Sequence, residues 1–502
     1  YDVADPSQLN PEIGTDADYW AWIEALRAHD MGHVLDIVPN HMGIAKSANP
    51  WWMDVLENGP SSRYAAFFDI TWRPVKAELA DKVLIPTLGD QYGAVLEKQE
   101  LQLRYREGAF VVAYHDDWFP IAPDTFPRVL VPVLDRWLAA RGEGDTEGLF
   151  DVDELRSIIN AAEHLPPRGA VDADAIETRA REKEVVKRRL AQLVDRCEPL
   201  RAQIDETLQW FNGAPGDPRS FDPLDGLLSA QSYRLAHWRT ASEEINYRRF
   251  FDVNQLAALR MEDPVVFAEV HRFVFELLAR GAATGLRVDH VDGLFAPGDY
   301  LRRLQARAAT ALGAPDANPR SVYLVVEKIL GADEHLPGDW PVHGTTGYEF
   351  AAALTGLFVD RRREREFERL YTRVAFGGRD PIVFEDLAYD CRKRVMHETM
   401  SGDINSLGHQ LNRFSEHNRH FRDFTLYSLI ATIKEVIACF PVYRTYITDA
   451  GPLSEHDRRY VTQAIRDARR REPGMTGLVF DFVARMLLHA PTTGTPEQRE
   501  DQ

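Results

Sequence analysis

The sequence predicts an α/β fold built on a (β/α)8 TIM barrel, and three short stretches carry that prediction. Each is an apolar run of strand length that closes on polar side chains. "HVLDIVPNH" closes on Asp36, Asn40 and His41, "GLRVDH" on Arg287, Asp289 and His290, and "YLVVEK" on Glu327. Helical stretches separate the runs. Strands that alternate with helices and gather polar residues at their C-terminal ends are the pattern of a barrel with its chemistry at that face.

The elements follow in order. Thr15 or Asp16 caps a helix that runs to about Asp30, where Gly32 signals its stop. The "HVLDIVPNHMG" strand comes next. From Met42 to about Thr240 the alternation breaks, and "NPWWMDVLENGPSSRYAAFFDITW" is rich in aromatic and turn residues. Within this stretch "DKVLIPTL" and "AFVVAYH" read as strands, and 175–198 as a charged amphipathic helix interrupted at Pro199. The rhythm resumes with a helix whose buried stripe is Val265, Phe267, Val270, Phe273, Val274 and Leu277, ending at Gly281. It feeds the strand "TGLRVDH". The helix "GDYLRRLQARAATAL" leads to "SVYLVVEKIL", residues 350–438 are mainly helical, "CFPVYRTYI" reads as a strand, and a helix covers about 454–471.

This gives five expected segments. Residues 1–42 open the barrel, 43–240 are a mixed and helical insertion, and 241–350 return to the barrel. A helical insertion with barrel continuation follows over 351–490, and 491–502 form a disordered tail.

Composition narrows the partners. A chain of 502 residues exceeds one ordinary core. Its net charge of −19 argues against nucleic acid, which needs clustered Lys and Arg, and favours a neutral substrate. The basic run Arg361 to Arg365 alternates with Glu and reads as a solvated helix face. Three cysteines, Cys197, Cys391 and Cys439, lack metal-ligand spacing and fit a reducing, cytoplasmic setting. No apolar run has the length of a membrane span.

The polar strand ends can do acid/base work. Side chains alternate along a strand, so Arg287 and Asp289 point to the same side, and the guanidinium is expected to keep Asp289 ionised. Glu327 follows apolar residues, a setting that favours a protonated carboxyl. One charged and one protonated carboxyl are what a retaining glycosidic mechanism requires. Each feature alone has a plainer explanation: a structural ion pair, a solvated glutamate, a turn cap. Their occurrence on successive strands is what favours chemistry. No zinc-protease helix, nucleophile elbow, P-loop or dinucleotide fingerprint is present.

The three strand ends resemble signature regions of the α-amylase superfamily: "DIVPNH" (36–41) its first, "GLRVDH" (285–290) its second and "VVEK" (325–328) its third. Within it, the chain resembles the maltooligosyltrehalose synthase family through "YDVADPSQLNPEIG", "NPWWMDVLENGPSS", "FDPLDGLLSAQSYRLAHWRTASEEINYRRFFDVN", "HGTTGYEF" and "CFPVYRTYI". The resemblance implies an intramolecular transglycosylase, an isomerase that converts the reducing-end α-1,4 linkage of a maltooligosaccharide into α,α-1,1. It implies Asp289 as nucleophile and Glu327 as general acid/base. Arg287 orients Asp289, His41 contacts the sugar, and Asn40, Asp36 and His290 complete the substrate site. No metal or other cofactor is expected. Trp51, Trp52, Tyr64, Phe67 and Phe68 form either domain core or a sugar-stacking lid.

Two departures qualify these expectations. The superfamily commonly carries a histidine four residues after the nucleophile, where this chain has Gly293. The third carboxylate motif, expected after the seventh barrel strand, does not occur, and the opening resembles the loop after the second strand. The expectation is therefore an incomplete barrel holding its middle strands, weakly active or inactive alone. The rival readings are an α-glucan hydrolase or 4-α-glucanotransferase on the same scaffold, and a non-catalytic glucan-binding protein.

Overall fold

The computed structural model describes residues 2–140, 149–313, 320–331, 333–377, 382–448 and 453–488, so the tail expected at 491–502 lies outside the described residues. The chain divides into two compact units. One comprises Pro6–Asn40 and Met261–Gln502, the other Tyr1–Asp5 and His41–Arg260.

The first unit is built on four parallel strands in the order β1 (Val34–Ile37), β2 (Gly285–Val288), β3 (Tyr323–Val326) and β4 (Gly344–Thr345). Parallel strands need crossovers, and helices supply them here. Helix α1 (Asp16–Ala28) precedes β1, α2 (Pro264–Ala279) precedes β2, and α3 (Pro297–Ala311) joins β2 to β3. Thr15 caps α1 through a reciprocal pair with Asp18, satisfying two donors at the helix start. Ile23 of α1 packs with Leu277 of α2, and Leu35 of β1 lies against them.

The stripe expected on α2 is buried at Phe267, Val270 and Leu277, whereas Val265 is 65 % exposed. Val266 and Leu278 take buried places instead. Val265 sits one residue off the stripe, about 100° round the helix. His271, also buried, bonds the Phe267 carbonyl and the Tyr300 hydroxyl, and burial lowers its pKa to about 4. It is a neutral core histidine that ties α2 to α3.

The C-terminal helices Leu426–Ala438, Glu455–Arg471 and Gly477–Leu487 share a core of Leu429, Val436, Val461, Phe480 and Phe482. The strand expected over "CFPVYRTYI" does not form; residues 439–447 are irregular. Pro441 lacks a ladder donor. Arg444 and Tyr446 instead fasten the segment through side-chain bonds to residues 292–295.

The other unit is mixed. A three-stranded antiparallel sheet (Leu101–Arg106, Ala109–Tyr114, Asp117–Pro120) and a parallel pair (Val83–Leu88 with Tyr233–His237) accompany the long helix Ala173–Arg196. That helix stops just before Pro199, and a second helix starts at Glu198. Trp51, Trp52, Phe67 and Phe68 are buried. Trp51 stacks on Tyr64 at 5.4 Å and Trp52 meets Phe68 at 5.0 Å. These rings are core, not an open stacking surface. Buried Lys183 binds Asp54 at 2.9 Å and Glu57 at 2.6 Å, and Lys187 binds Glu57 as well. Burial alone raises the Glu57 carboxyl, but Lys187 and Lys183 outweigh it and hold it below the usual range.

Candidate active site

Register decides which polar side chains meet. Asp36 pairs with Arg287 and Arg287 with Val325, while Val288 pairs with Val326. Continuing the last pairing by one residue sets Asp289 beside Glu327, and the ladder does continue. The Asp289 amide donates to the Ile37 carbonyl at 2.9 Å, and the Glu327 amide to the Val288 carbonyl at 2.8 Å. Leu286, Val288, Leu324 and Val326 are fully buried, which fixes the strands against slipping, since a one-residue slip would bring each of these side chains to the opposite face.

Arg287 stands between two carboxylates. Its Nη1 donates to both oxygens of Asp36, at 2.8 and 2.9 Å, and to Asp289 Oδ1 at 2.8 Å. Asp289 is 7 % exposed. Its pKa is raised, chiefly by burial; Arg287 pulls it down, and Glu327 and Asp36 push it up. The expectation that the guanidinium dominates is thus corrected. One cation is shared with a second acid, and burial wins.

His290 follows in a left-handed conformation, φ 43°, uncommon for a residue with a side chain. This turns its backbone N–H onto Glu327 Oε2 at 3.0 Å. A short 3-10 turn, Val291–Gly293, then leads the chain away. Gly293 is required by close approach. A Cβ there would stand 2.4 Å from Asn40 Oδ1 and 2.4 Å from His290 Cδ2. Asn40 and the His290 ring therefore occupy the space that a side chain at position 293 would need.

Six of the seven expected residues, Asp36, Asn40, Arg287, Asp289, His290 and Glu327, belong to one unit. His41 belongs to the other, where it is buried, pairs with Ala258 and stacks on Phe250 at 4.4 Å. Residues not anticipated are Asp292, Lys328, Arg444 and Tyr446, which bind one another behind the Asp289 loop, and Tyr443, whose ring lies 6.1 Å from His290. "VDGL" and "VVEK" place Asp292 and Lys328 beside the expected pair. Nothing local in the sequence announces the other three. A cavity of about 630 Å³ is lined by Trp340, Arg444, Tyr446 and Tyr460, but Asp289 and Glu327 are not in its wall. The described residues hold no cluster of three metal-ligating side chains.

Residues 1–99 match the model of the α-amylase catalytic domain. A putative maltooligosyl trehalose synthase of Mycobacterium tuberculosis is 31 % identical over 409 residues, 81 % of this chain and 38 % of that protein. An intracellular maltogenic amylase of Bacillus subtilis is 35 % identical over 82 residues, 16 % of this chain and 13 % of that protein. Among solved structures, the maltooligosyltrehalose synthase of Arthrobacter ramosus superposes with a TM-score of 0.65 at 27 % identity, covering 100 % of this chain and 48 % of that one. The chain thus spans less than half the length of these synthases.

Proposed function

From the kinship of this chain with the maltooligosyltrehalose synthases, a family of α-amylase-type fold, we propose that the whole protein is an intramolecular transglycosylase. It converts the reducing-end α-1,4 linkage of a maltooligosaccharide into α,α-1,1. The observation that carries this reading is the adjacency of Asp289 and Glu327 on neighbouring parallel strands. Neighbouring strands lie about 4.8 Å apart. Retaining glycosidases hold their two carboxyls about 5–5.5 Å apart, whereas inverting ones leave room for a water between them.

In the proposed reaction the Asp289 carboxylate attacks C1 as Glu327 gives its proton to the departing glycosidic oxygen. A glycosyl–Asp289 ester forms and glucose is released within the site. The glucose then turns. Its anomeric hydroxyl attacks the same C1, Glu327 takes the hydroxyl proton, and Asp289 leaves as carboxylate. Two displacements retain the α configuration. Arg287 orients Asp289 and spreads its charge, while Asn40, Asp36 and His290 shape the sugar site. Both steps are proton transfer and nucleophilic displacement.

The finer architectural reading is that the four parallel strands are consecutive middle strands of a (β/α)8 barrel. The coverage of under half of the related synthases supports it. So does the apolar surface of the helices Tyr348–Gly356 and Glu364–Phe376, which bury no residue and leave Phe350 and Phe367 exposed. The three cysteines, all unbridged, support a reducing, cytoplasmic setting. No described helix is long and apolar enough to cross a membrane.

Reducing-end titration of maltopentaose tests the activity. Synthase chemistry lowers the reducing-end count without releasing glucose, and Asp289→Asn and Glu327→Gln each abolish the fall. A rise in reducing ends assigns a hydrolase instead.

A further inference from the structure

Lys328 follows Glu327 by one residue, so its side chain turns to the opposite side of the chain. It is fully buried. Its Nζ lies 3.1 Å from Asp292 Oδ2 and 2.7 Å from Glu334 Oε1, and both carboxylates are nearly buried. Asp292 also accepts the Tyr446 hydroxyl, and Arg444 donates to the carbonyl oxygens of Asp292 at 2.9 Å and Leu294 at 2.5 Å. Taking a lysine and two acids out of water costs several kcal/mol per ion before their attraction is counted, about the worst filling for a core if stability were its only role.

Connectivity gives the cluster a different use. Asp292 lies three residues after Asp289, and Lys328 one after Glu327. The Lys328–Asp292 pair therefore ties the loop behind one carboxylate to the strand end that bears the other. Between Asp289 and Asp292 stands His290, in its left-handed conformation, with its amide on Glu327. That conformation is unfavourable for a side-chain-bearing residue and persists only while its surroundings hold it.

We propose that Lys328 is a positioning residue. By holding Asp292, with Tyr446 as second anchor, it keeps His290 in its left-handed turn and so fixes the separation of Asp289 and Glu327. This rests on the reading of those two carboxylates given above.

Two variants test it: Lys328→Met, which keeps the stem and removes the charge, and Tyr446→Phe, which removes one hydroxyl. The first readout is amide hydrogen exchange over residues 289–294 in this chain, which needs no turnover. The second is kcat and KM for maltopentaose in the whole protein. Exchange at the His290 amide should quicken at least tenfold in each folded variant. kcat should fall at least tenfold in Lys328→Met and several-fold in Tyr446→Phe, with KM within about twofold. Unchanged exchange and unchanged kcat in either folded variant overturn the proposal, as does a rise in KM at constant kcat. If Lys328→Met does not fold, Tyr446→Phe decides. Should the unsubstituted protein not turn over maltopentaose at all, the reading of the carboxylates falls, while the exchange result still judges the positioning.

Discussion

Arg287 binds Asp36 across the β1–β2 ladder and Asp289 two residues along its own chain, using one nitrogen for both. The arrangement makes the Asp289 carboxyl share that cation with a second acid. Burial is then the larger influence, and the group binds its proton more tightly than an ordinary aspartate.

The first prediction concerns stability. A carboxyl whose folded pKa is raised stabilises the fold fully below its unfolded value, and that contribution is lost as pH rises through the folded value. Asp289→Asn imitates the protonated form. The variant should therefore melt above the unsubstituted chain at pH 7, and the gap should close as pH falls below the ordinary value of 3.8. Thermal unfolding at the two pH values measures it, and an equal gap at both refutes it.

Activity should show the same group from the other side. The acidic limb of kcat/KM should lie above 3.8, since in the proposed reaction Asp289 attacks as the carboxylate. Arg287→Met should move that limb further up and lower kcat/KM by about 100-fold, because Asp289 then loses the guanidinium bound to it while Asp36 still repels it. A pH–rate profile of the two proteins decides.

Gly293 offers a steric prediction. With Asn40 and His290 at 2.4 Å from the missing Cβ, Gly293→Ala should cost about 1–3 kcal/mol through displaced neighbours. Chemical denaturation gives the loss. An Ala variant as stable as the parent would show that Asn40 and His290 move aside without cost.

In the other unit, Lys183→Met removes one of two ammonium groups bound to the buried Glu57 and the one bound to Asp54. Breaking a buried pair from one side destabilises by about 3–5 kcal/mol. The denaturation midpoint should fall accordingly, without change in the folded secondary structure seen by circular dichroism.

How much of this was legible in the sequence varies by residue. Thr15 as a helix cap, the strand "GLRV" and the helix from Pro264 all follow from short-range rules, because caps, alternation and helical period act within one or two turns of chain. Val265 was misplaced because a one-residue error in the stripe's phase is about 100°. "CFPVYRTYI" read as a strand because its apolar and aromatic residues fit one. Its conformation is instead set by Arg444 and Tyr446 reaching about 150 residues back to 292–295, which local pattern cannot express.

The sequence by itself determined the chemistry available: an acid pair, Asp289 and Glu327, each closing an apolar strand, with an arginine two residues before one of them. Tertiary structure decided what those groups do to one another. Parallel register brought Asp36 to Arg287 and Asp289 alongside Glu327, and burial turned the expected direction of the Asp289 pKa. Lys328, Asp292 and Tyr446 became a single network behind them. The reason is physical. Side-chain type and short-range periodicity are written residue by residue, but dielectric surroundings and charge sharing exist only once distant strands lie a few ångströms apart.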